Sequence, residues 1–374
     1  LLCSIFIVFI LLWKLMYLYI YTGQYNKTDL MIKNYQPKII LLYEVPNWMK
    51  RLPIVPMDVD CVVTSDKNYL EDIRKYDALV FSGSDIWSAE KTFPLLRSPD
   101  QYYVFANLES PFYTPHSFSS NLSSEIYNLT MSYRRDCDIY WPYGFISNSS
   151  DHFARDLQVP VWKTPDFGNQ LESDVIAKIN GKTKSAAWFV SHCVAKSKRN
   201  DLVSILKKHI DVDIYGSCGT LQCSVKETDH CYQLVEEKYF FYFSFENSIC
   251  KDYLTEKIFN IMKYYVVPVV YGGANYSHYL PPHSYIDAND FETASGLAKY
   301  LKYLTENFDE YVEYFWWKTY YKNVNTLKSF NNLCIKLHEY TTEVSVGKFI
   351  RSYRNISSWW NDNQCTTEPN IKAI

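Results

Sequence analysis

Short apolar runs, each of a length that suits a buried strand, recur along this chain and limit its fold more than any other feature. The first are Lys38-Ile-Ile-Leu-Leu-Tyr43, Asp60-Cys-Val-Val63, Ala78-Leu-Val-Phe81 and Tyr102-Tyr-Val-Phe-Ala106. Unbroken apolarity is what a strand covered on both faces requires. Helix-like stretches such as Tyr69 to Tyr76 lie between some of them, and that alternation predicts a parallel α/β sheet. A polar interval from about Pro165 to Lys184 precedes a second set, opened by Ala186-Ala-Trp-Phe-Val190 and a helical stretch from Arg199 to His209. Val212-Asp-Ile-Tyr215-Gly216, Tyr239 to Phe245, a helix over Thr255 to Tyr264 and Val266-Val-Pro-Val-Val-Tyr271-Gly272-Gly273 follow. A glycine pair at a strand's carboxyl end is where open α/β sheets bind nucleotides. The pattern predicts two α/β halves with a cleft between them. The aromatic tail after about Asn307 reads as helical, with Phe315-Trp316-Trp317 as a core or interdomain patch.

The 374 residues suffice for two domains of ordinary size. With 47% hydrophobic and 21% charged residues the composition is globular. A net charge of −3 without a basic block argues against nucleic acid as a partner. Residues 1–21 are apolar apart from Lys14 and Ser4. Roughly 20 apolar residues cross a bilayer core. No Ala-x-Ala-like cleavage site follows, so the run reads as a transmembrane signal anchor, with Lys14 snorkelling; the rival reading is a buried core helix. Residues 22–36 are polar, lack periodicity and read as a stem.

Sequons follow at Asn26, Asn121, Asn128, Asn148, Asn275 and Asn355, each weak evidence alone in an Asn-rich chain. Of ten cysteines, nine follow the anchor, with Cys218, Cys223 and Cys231 clustered and Cys61, Cys137, Cys193, Cys250, Cys334 and Cys365 dispersed. No CxxC pair and no Cys/His quartet at zinc spacing occurs, so disulfides in an oxidising compartment fit better than a metal. Nine is odd, so at least one thiol is expected to stay free. Together these features favour a lumenal body on one membrane anchor.

The stretch with most chemistry is Phe245-Glu-Asn-Ser-Ile-Cys-Lys-Asp-Tyr-Leu-Thr-Glu-Lys257. Thr255 suits a helix N-cap, which puts Glu256 and Lys257 in the first turn. Free amide N–H groups and the helix dipole there attract a diphosphate, Lys257 adds a full positive charge, and Glu256 can hydrogen-bond sugar hydroxyls. The alternative is an ordinary surface turn with one acidic and one basic residue.

That stretch resembles the donor-binding signature of the GDP-fucose-dependent α1,3-fucosyltransferases, glycosyltransferase family 10. Asn128-Leu-Thr-Met-Ser-Tyr-Arg-Arg-Asp-Cys-Asp-Ile-Tyr-Trp-Pro-Tyr-Gly144, Leu108-Glu-Ser-Pro111, and Phe189-Val-Ser-His-Cys with Lys198-Arg199-Asn200 are similar to further family motifs, in family order. The resemblance implies a GT-B fold of two Rossmann-like domains facing a cleft. The acceptor domain would span 37–175 and the GDP-fucose domain 176–345, with a tail over 346–374. It implies Glu109 as general base, Arg199 and Lys257 as neutralisers of the diphosphate, and Asn247, Tyr253 and Glu256 as contacts to the nucleotide sugar. Arg199 rests on less context, since Lys198 adjoins it. Taken alone, Glu-Ser-Pro after a strand also suits a plain turn.

The implied partners are GDP-fucose, a glycan acceptor on glycoprotein or glycolipid, and a membrane; a homodimer is left open. A β-linked donor giving an α-linked product needs one inverting displacement, with a carboxylate base and positive charge for the leaving diphosphate. No cofactor is obligatory and no metal ligand is expected, stimulation by Mn²⁺ being left open. The implied location is the Golgi membrane, single-pass type II, with a lumenal body. The favoured acceptor is the GlcNAc of N-acetyllactosamine or its GalNAc counterpart (LacdiNAc), with the innermost GlcNAc of N-glycans as the alternative. The acceptor-selecting segment near Phe112 to Ser124 matches neither set.

Two rival readings stand beside it. Asp58-Val-Asp60, Asp136-Cys137-Asp138 and Asp211-Val-Asp213 have the Asp-x-Asp form with which GT-A transferases hold Mn²⁺, and its recurrence here shows how unspecific it is. A non-catalytic glycan-binding protein of the same fold would be expected to lose some of Glu109, Arg199, Glu256 and Lys257. The vertebrate family's C-terminal Cys-x-x-Cys is missing, so its disulfide pattern is not carried over.

Overall fold

The computed structural model describes residues 37–52, 60–83, 93–114, 125–148, 159–168, 171–223, 228–324, 330–345, 351–368 and 371. The expected anchor and stem, residues 1–36, and all but the first three residues of the segment Phe112 to Ser124 lie outside these. Among the described residues no helix is long and apolar enough to cross a membrane.

Six strands make the first sheet: β1 (Lys38–Glu44), β2 (Cys61–Thr64), β3 (Ala78–Ser82), β4 (Tyr102–Asn107), β5 (Leu129–Ser132) and β6 (Ile139–Tyr140). Their order is β2-β1-β3-β4-β5-β6 and every pair is parallel. All residues of β3 and β4 are buried, which is why those segments are apolar up to their last residues, Ser82 and Asn107. After β7 (Phe145–Ser147), a second sheet collects β8 (Lys184–Phe189), β9 (Val212–Tyr215), β10 (Tyr239–Phe245), β12 (Val267–Tyr271) and β13 (Ile286–Asp287). Its order is β13-β12-β10-β8-β9, again parallel throughout. Pro268 is tolerated inside β12 because pairing to β13 begins only at Val269, so that side has no ladder to interrupt at the proline. The α/β reading with parallel sheets is what the chain builds.

The helices are α1 (Asn47–Lys50), α2 (Ser173–Asn180), α3 (Arg199–Leu206), α4 (Thr228–Lys238), α5 (Glu256–Ile261), α6 (Ala294–Glu306), α7 (Phe308–Glu313), α8 (Asn331–Ser345) and α9 (Ile356–Asn361). Helix α6 shows how sequence sets them. Thr293 caps it by accepting from the Gly296 N–H at 3.1 Å, and Leu297, Leu301 and Leu304 bury one stripe in the core of the second sheet. The helix expected over Tyr69 to Tyr76 does not form. Only a 3₁₀ turn at Ile73–Lys75 does, because local partners take the amides: the Asp72 carboxylate that of Arg74, the Tyr76 hydroxyl that of Leu70.

The last segments return to the first sheet. Leu333 and Leu337 of α8 and Ile356 and Trp360 of α9 lie in the core of β1–β6, although residues up to 345 follow the second sheet in sequence. Phe315 joins the core of the second sheet, and Trp316 and Trp317 pack on that sheet's other face with Tyr242, Ile258 and Val270. Strand β11 (Ile249–Cys250) pairs antiparallel with β15 (Cys365–Thr366), and β14 (Lys322–Val324) with β7. Disulfides join Cys61 to Cys334, Cys193 to Cys218, Cys223 to Cys231 and Cys250 to Cys365. The Cys137 thiol stays free and buried, as the odd count requires, and burial pushes its pKa up.

Candidate active site

Central strands β4 and β10 end in loops that meet, Leu108-Glu109-Ser110 from the first sheet and Glu246-Asn247-Ser248 from the second. The Oγ atoms of Ser110 and Ser248, both buried, lie 2.7 Å apart. Glu109 is half-buried beside this junction. Its Oε1 accepts from the Ser110 amide and from the Tyr253 hydroxyl, each at 2.8 Å. Its own amide donates to Asn107 Oδ1 at 3.1 Å, and Asn107 Nδ2 donates to Thr114 Oγ1 at 2.9 Å. A Cβ at Gly83 would stand 2.6 Å from that Asn107 nitrogen, so the backbone there must stay bare. Trp360 of α9 closes the chain by donating to Thr114 Oγ1 at 3.0 Å.

Three tyrosines wall this corner. Tyr143 donates to the Leu108 carbonyl at 2.6 Å, and Tyr253 meets Tyr133 edge to face at 5.1 Å. Burial raises the pKa of all three well above the ordinary phenol value, so the phenols stay neutral, Tyr143 and Tyr253 as donors.

On the second sheet, Lys198 in the left-handed region (φ 56°) turns the chain into α3. Arg199 follows, buried, donating to the carbonyls of Phe245 at 2.7 Å and His192 at 3.0 Å. Among the described residues its Nε–H has no partner, and neither have Oδ1 of Asn200 and Oδ1 of Asn247. Burial lowers the Arg199 pKa and nearby Glu246 opposes that. The Cys193–Cys218 bridge ties this loop to the exit of β9, and Tyr113 from the first half meets His192 at 3.3 Å.

Lys257 binds Glu246 at 3.0 Å and Thr255 Oγ1 at 2.7 Å, and stands 3.6 Å from Glu256. Burial disfavours its charge, but Glu246 and then Glu256 outweigh burial and hold its pKa above the lysine range. Glu246 is fully buried, and burial raises its pKa against the pull of Lys257. Thr255 does stand at the N-cap position of α5, but its hydroxyl makes no cap and goes to Glu246. The helix is six residues long, shorter than the Thr255 to Tyr264 stretch expected. Glu256 is half-exposed beside Lys257.

Glu109 and Tyr253 are thus in contact across the two halves, and Glu256 and Lys257 in contact with each other. Arg199 and Asn247 adjoin through the pairing of Ser197 N to the Asn247 carbonyl at 3.0 Å. Sequence reading passed over Glu246, although it stands inside Phe-Glu-Asn-Ser; its importance comes from partners nine and eleven positions on. Close packing explains the glycine pair after β12 as well: a Cβ on Gly273 would lie 2.7 Å from the Cys250 backbone, and one on Gly272 3.4 Å from Glu246 Cγ.

Three of the Asp-x-Asp carboxylates have structural partners. Asp138 accepts from the Thr130 amide and hydroxyl and from Tyr353, each at 2.8 Å, Asp136 pairs with Arg134, and Asp213 with Lys184. Asp58 lies outside the described residues. Among those residues, the group of side chains close enough to share a metal is Cys61, Cys334 and His338, and its two sulfurs are bonded to each other.

Residues 35–144 match the family model described as fucosyltransferase, N-terminal, and residues 179–359 that of glycosyltransferase family 10 (fucosyltransferase) C-term. The chain is 42% identical over 315 residues to alpha-(1,3)-fucosyltransferase C of Drosophila melanogaster, covering 83% of this chain and 71% of that one. It is 35% identical to alpha-(1,3)-fucosyltransferase fut-1 of Caenorhabditis elegans, over 60% of this chain and 48% of that one. Identity to the 4-galactosyl-N-acetylglucosaminide 3-alpha-L-fucosyltransferase 9 of Mus musculus is 33%, over 69% and 64%. A crystal structure of an α1,3-fucosyltransferase with GDP shares the fold, with a TM-score of 0.50 at 16% identity over 88% of this chain and 94% of that one. The chain belongs to glycosyltransferase family 10, the fucosyltransferases, and its class is that of the α1,3-fucosyltransferases.

Proposed function

We propose that this chain transfers L-fucose from GDP-β-L-fucose, with inversion, to O3 of a GlcNAc in a glycoprotein or glycolipid glycan of N-acetyllactosamine or LacdiNAc type. The observation that carries the reading is the contact of Glu109, on the first half, with Tyr253, inside the donor signature of the second. Glu109 takes the proton of the acceptor hydroxyl as that oxygen attacks fucose C1, and the C1–O bond breaks with its electron pair leaving on GDP. Arg199 and Lys257 offset the charge on the departing diphosphate, which asks for no obligatory metal. Asn247, Tyr253 and Glu256 contact the nucleotide sugar, Asn247 through a buried oxygen without a partner among the described residues and Glu256 through a half-exposed carboxylate. The apolar run of residues 1–21 and the four disulfides support a type II Golgi membrane protein with its body in the lumen.

The test is the full chain in detergent with GDP-fucose and a panel of lactosamine, LacdiNAc and N-glycan core acceptors, with and without excess chelator. Acceptor-dependent GDP release and α1,3-linked fucose that survives chelation are expected. Transfer that stops with the chelator, or fucose placed only on the innermost GlcNAc, overturns the metal or the acceptor part of the reading.

A further inference from the structure

We propose that Asn355 carries an N-linked glycan and that the sequon at Asn128 carries none. The inference rests on the lumenal placement of the body, where a lipid-diphosphate-linked oligosaccharide is the sugar donor. In that transfer the asparagine Nδ2 displaces the lipid diphosphate from C1 of the oligosaccharide. The C1–N bond forms, the C1–O bond breaks with its electron pair on the diphosphate, and one amide proton leaves. The product keeps the carboxamide oxygen and one N–H, and the added bulk needs open solvent around Nδ2.

The sequon Asn128-Leu129-Thr130 offers no such space, since all three residues are buried. Asn128 Oδ1 accepts from the Tyr103 amide at 2.8 Å and from Arg97 Nη2, and its Nδ2 donates to the Arg351 carbonyl at 3.0 Å. Thr130 Oγ1 donates to Asp138 at 2.8 Å and meets the Tyr353 hydroxyl at 3.1 Å. The asparagine and the threonine of this sequon thus serve packing. What covers them is the tail, where the Tyr353 backbone accepts from the Glu125 amide at 2.9 Å and donates to the Tyr127 carbonyl at 2.8 Å. A glycan on Asn128 would hold that tail off β5.

The same tail then presents Asn355 to solvent. Its neighbour Ile356 is buried in the core of the first sheet, while Asn355 itself is exposed. Oδ1 of Asn355 caps α9, accepting from the Ser358 amide at 2.9 Å, and Nδ2 has no hydrogen bond among the described residues. Glycosylation alters only Nδ2, so the cap survives it. Asn275 is exposed as well, but its amide is engaged, Nδ2 with His278 Nε2 at 3.1 Å and Oδ1 with Ser277 Oγ at 2.8 Å. A glycan there competes with a contact that Asn355 does not have. Asn26 and Asn121 lie outside the described residues, as does Ser150 of the Asn148 sequon.

The test is intact-glycopeptide mass spectrometry of the full chain, made in animal cells and purified in detergent as the folded, monodisperse fraction. The peptide holding Asn355 is expected to carry a glycan and the peptide holding Asn128 to be bare. Asn355→Asp keeps a capping oxygen, and Ser357→Ala leaves Asn355 itself in place; each should remove one glycan, read as a step in gel mobility, and keep the melting temperature of the unaltered chain. Should Asn355→Asp not fold, Ser357→Ala gives the same reading alone. A glycan on Asn128 in the folded fraction, or a bare Asn355 beside glycans on other sequons, overturns the proposal. A chain bare at all six sequons overturns the lumenal placement and the proposal with it, a separate outcome.

Discussion

Arg199 carries a guanidinium into a buried position with two carbonyl partners, no carboxylate within ion-pair distance among the described residues, and an Nε–H left unpaired. A buried cation without a counterion is expensive unless a ligand supplies one, and a diphosphate would. Lys257 differs, since Glu246 already neutralises it, so its charge reaches a ligand only in part. Arg199→Lys should therefore weaken GDP binding about tenfold or more, because an ammonium cannot span both carbonyls and still face an anion. Titration calorimetry with GDP reads this directly, and an unchanged affinity would sink the assignment. Arg199 and Lys257 were legible in the sequence as cations of the candidate site. Glu246 was not, because a glutamate in a run of residues shows its worth only once Thr255 and Lys257 are folded against it.

Elements were legible where burial alone decides them. Strands β3, β4, β10 and β12 are covered on both faces and read as apolar runs, whereas the turn at Ile73–Lys75 was decided by side-chain hydrogen bonds that no periodicity records. The junction of α2 with α4 and β10 also holds a cation invisible to pattern. Lys182 is buried, donating to the Tyr239 carbonyl at 2.9 Å and to that of Glu236, and burial lowers its pKa to about 7 from 10.5, with Glu236 opposing. Between those values the unfolded chain holds a proton that the folded one lacks, so this site's contribution to stability rises with pH through that window. Below it both states are protonated and the burial penalty is complete. Urea unfolding from pH 7 to 9 should show a rising free energy whose slope becomes shallower in Lys182→Met. Equal slopes would mean that Lys182 keeps an ordinary pKa.

At the scale of the whole molecule, the tail straps the halves together. Residues 351–366 pair with β11, bond through Cys365 to Cys250, and reach the first half through Trp360 to Thr114 and the loop of Glu109. Nothing local in the sequence marks this return, since the partners of Trp360 and Tyr353 lie more than 200 positions away. Replacing Cys250 and Cys365 by Ala should cost roughly 2–5 kcal/mol in unfolding free energy and lower turnover as well. A destabilised variant with full turnover would separate the strap from the base.

The central claim, a fucosyl transfer driven by one carboxylate, is met most directly by the Glu109→Gln variant of the full chain. Single-turnover rates with saturating GDP-fucose and acceptor should fall about 100-fold or more, while GDP-fucose binding measured on the same sample stays within about twofold. A rate close to that of the unaltered protein, with binding intact, would contradict the account.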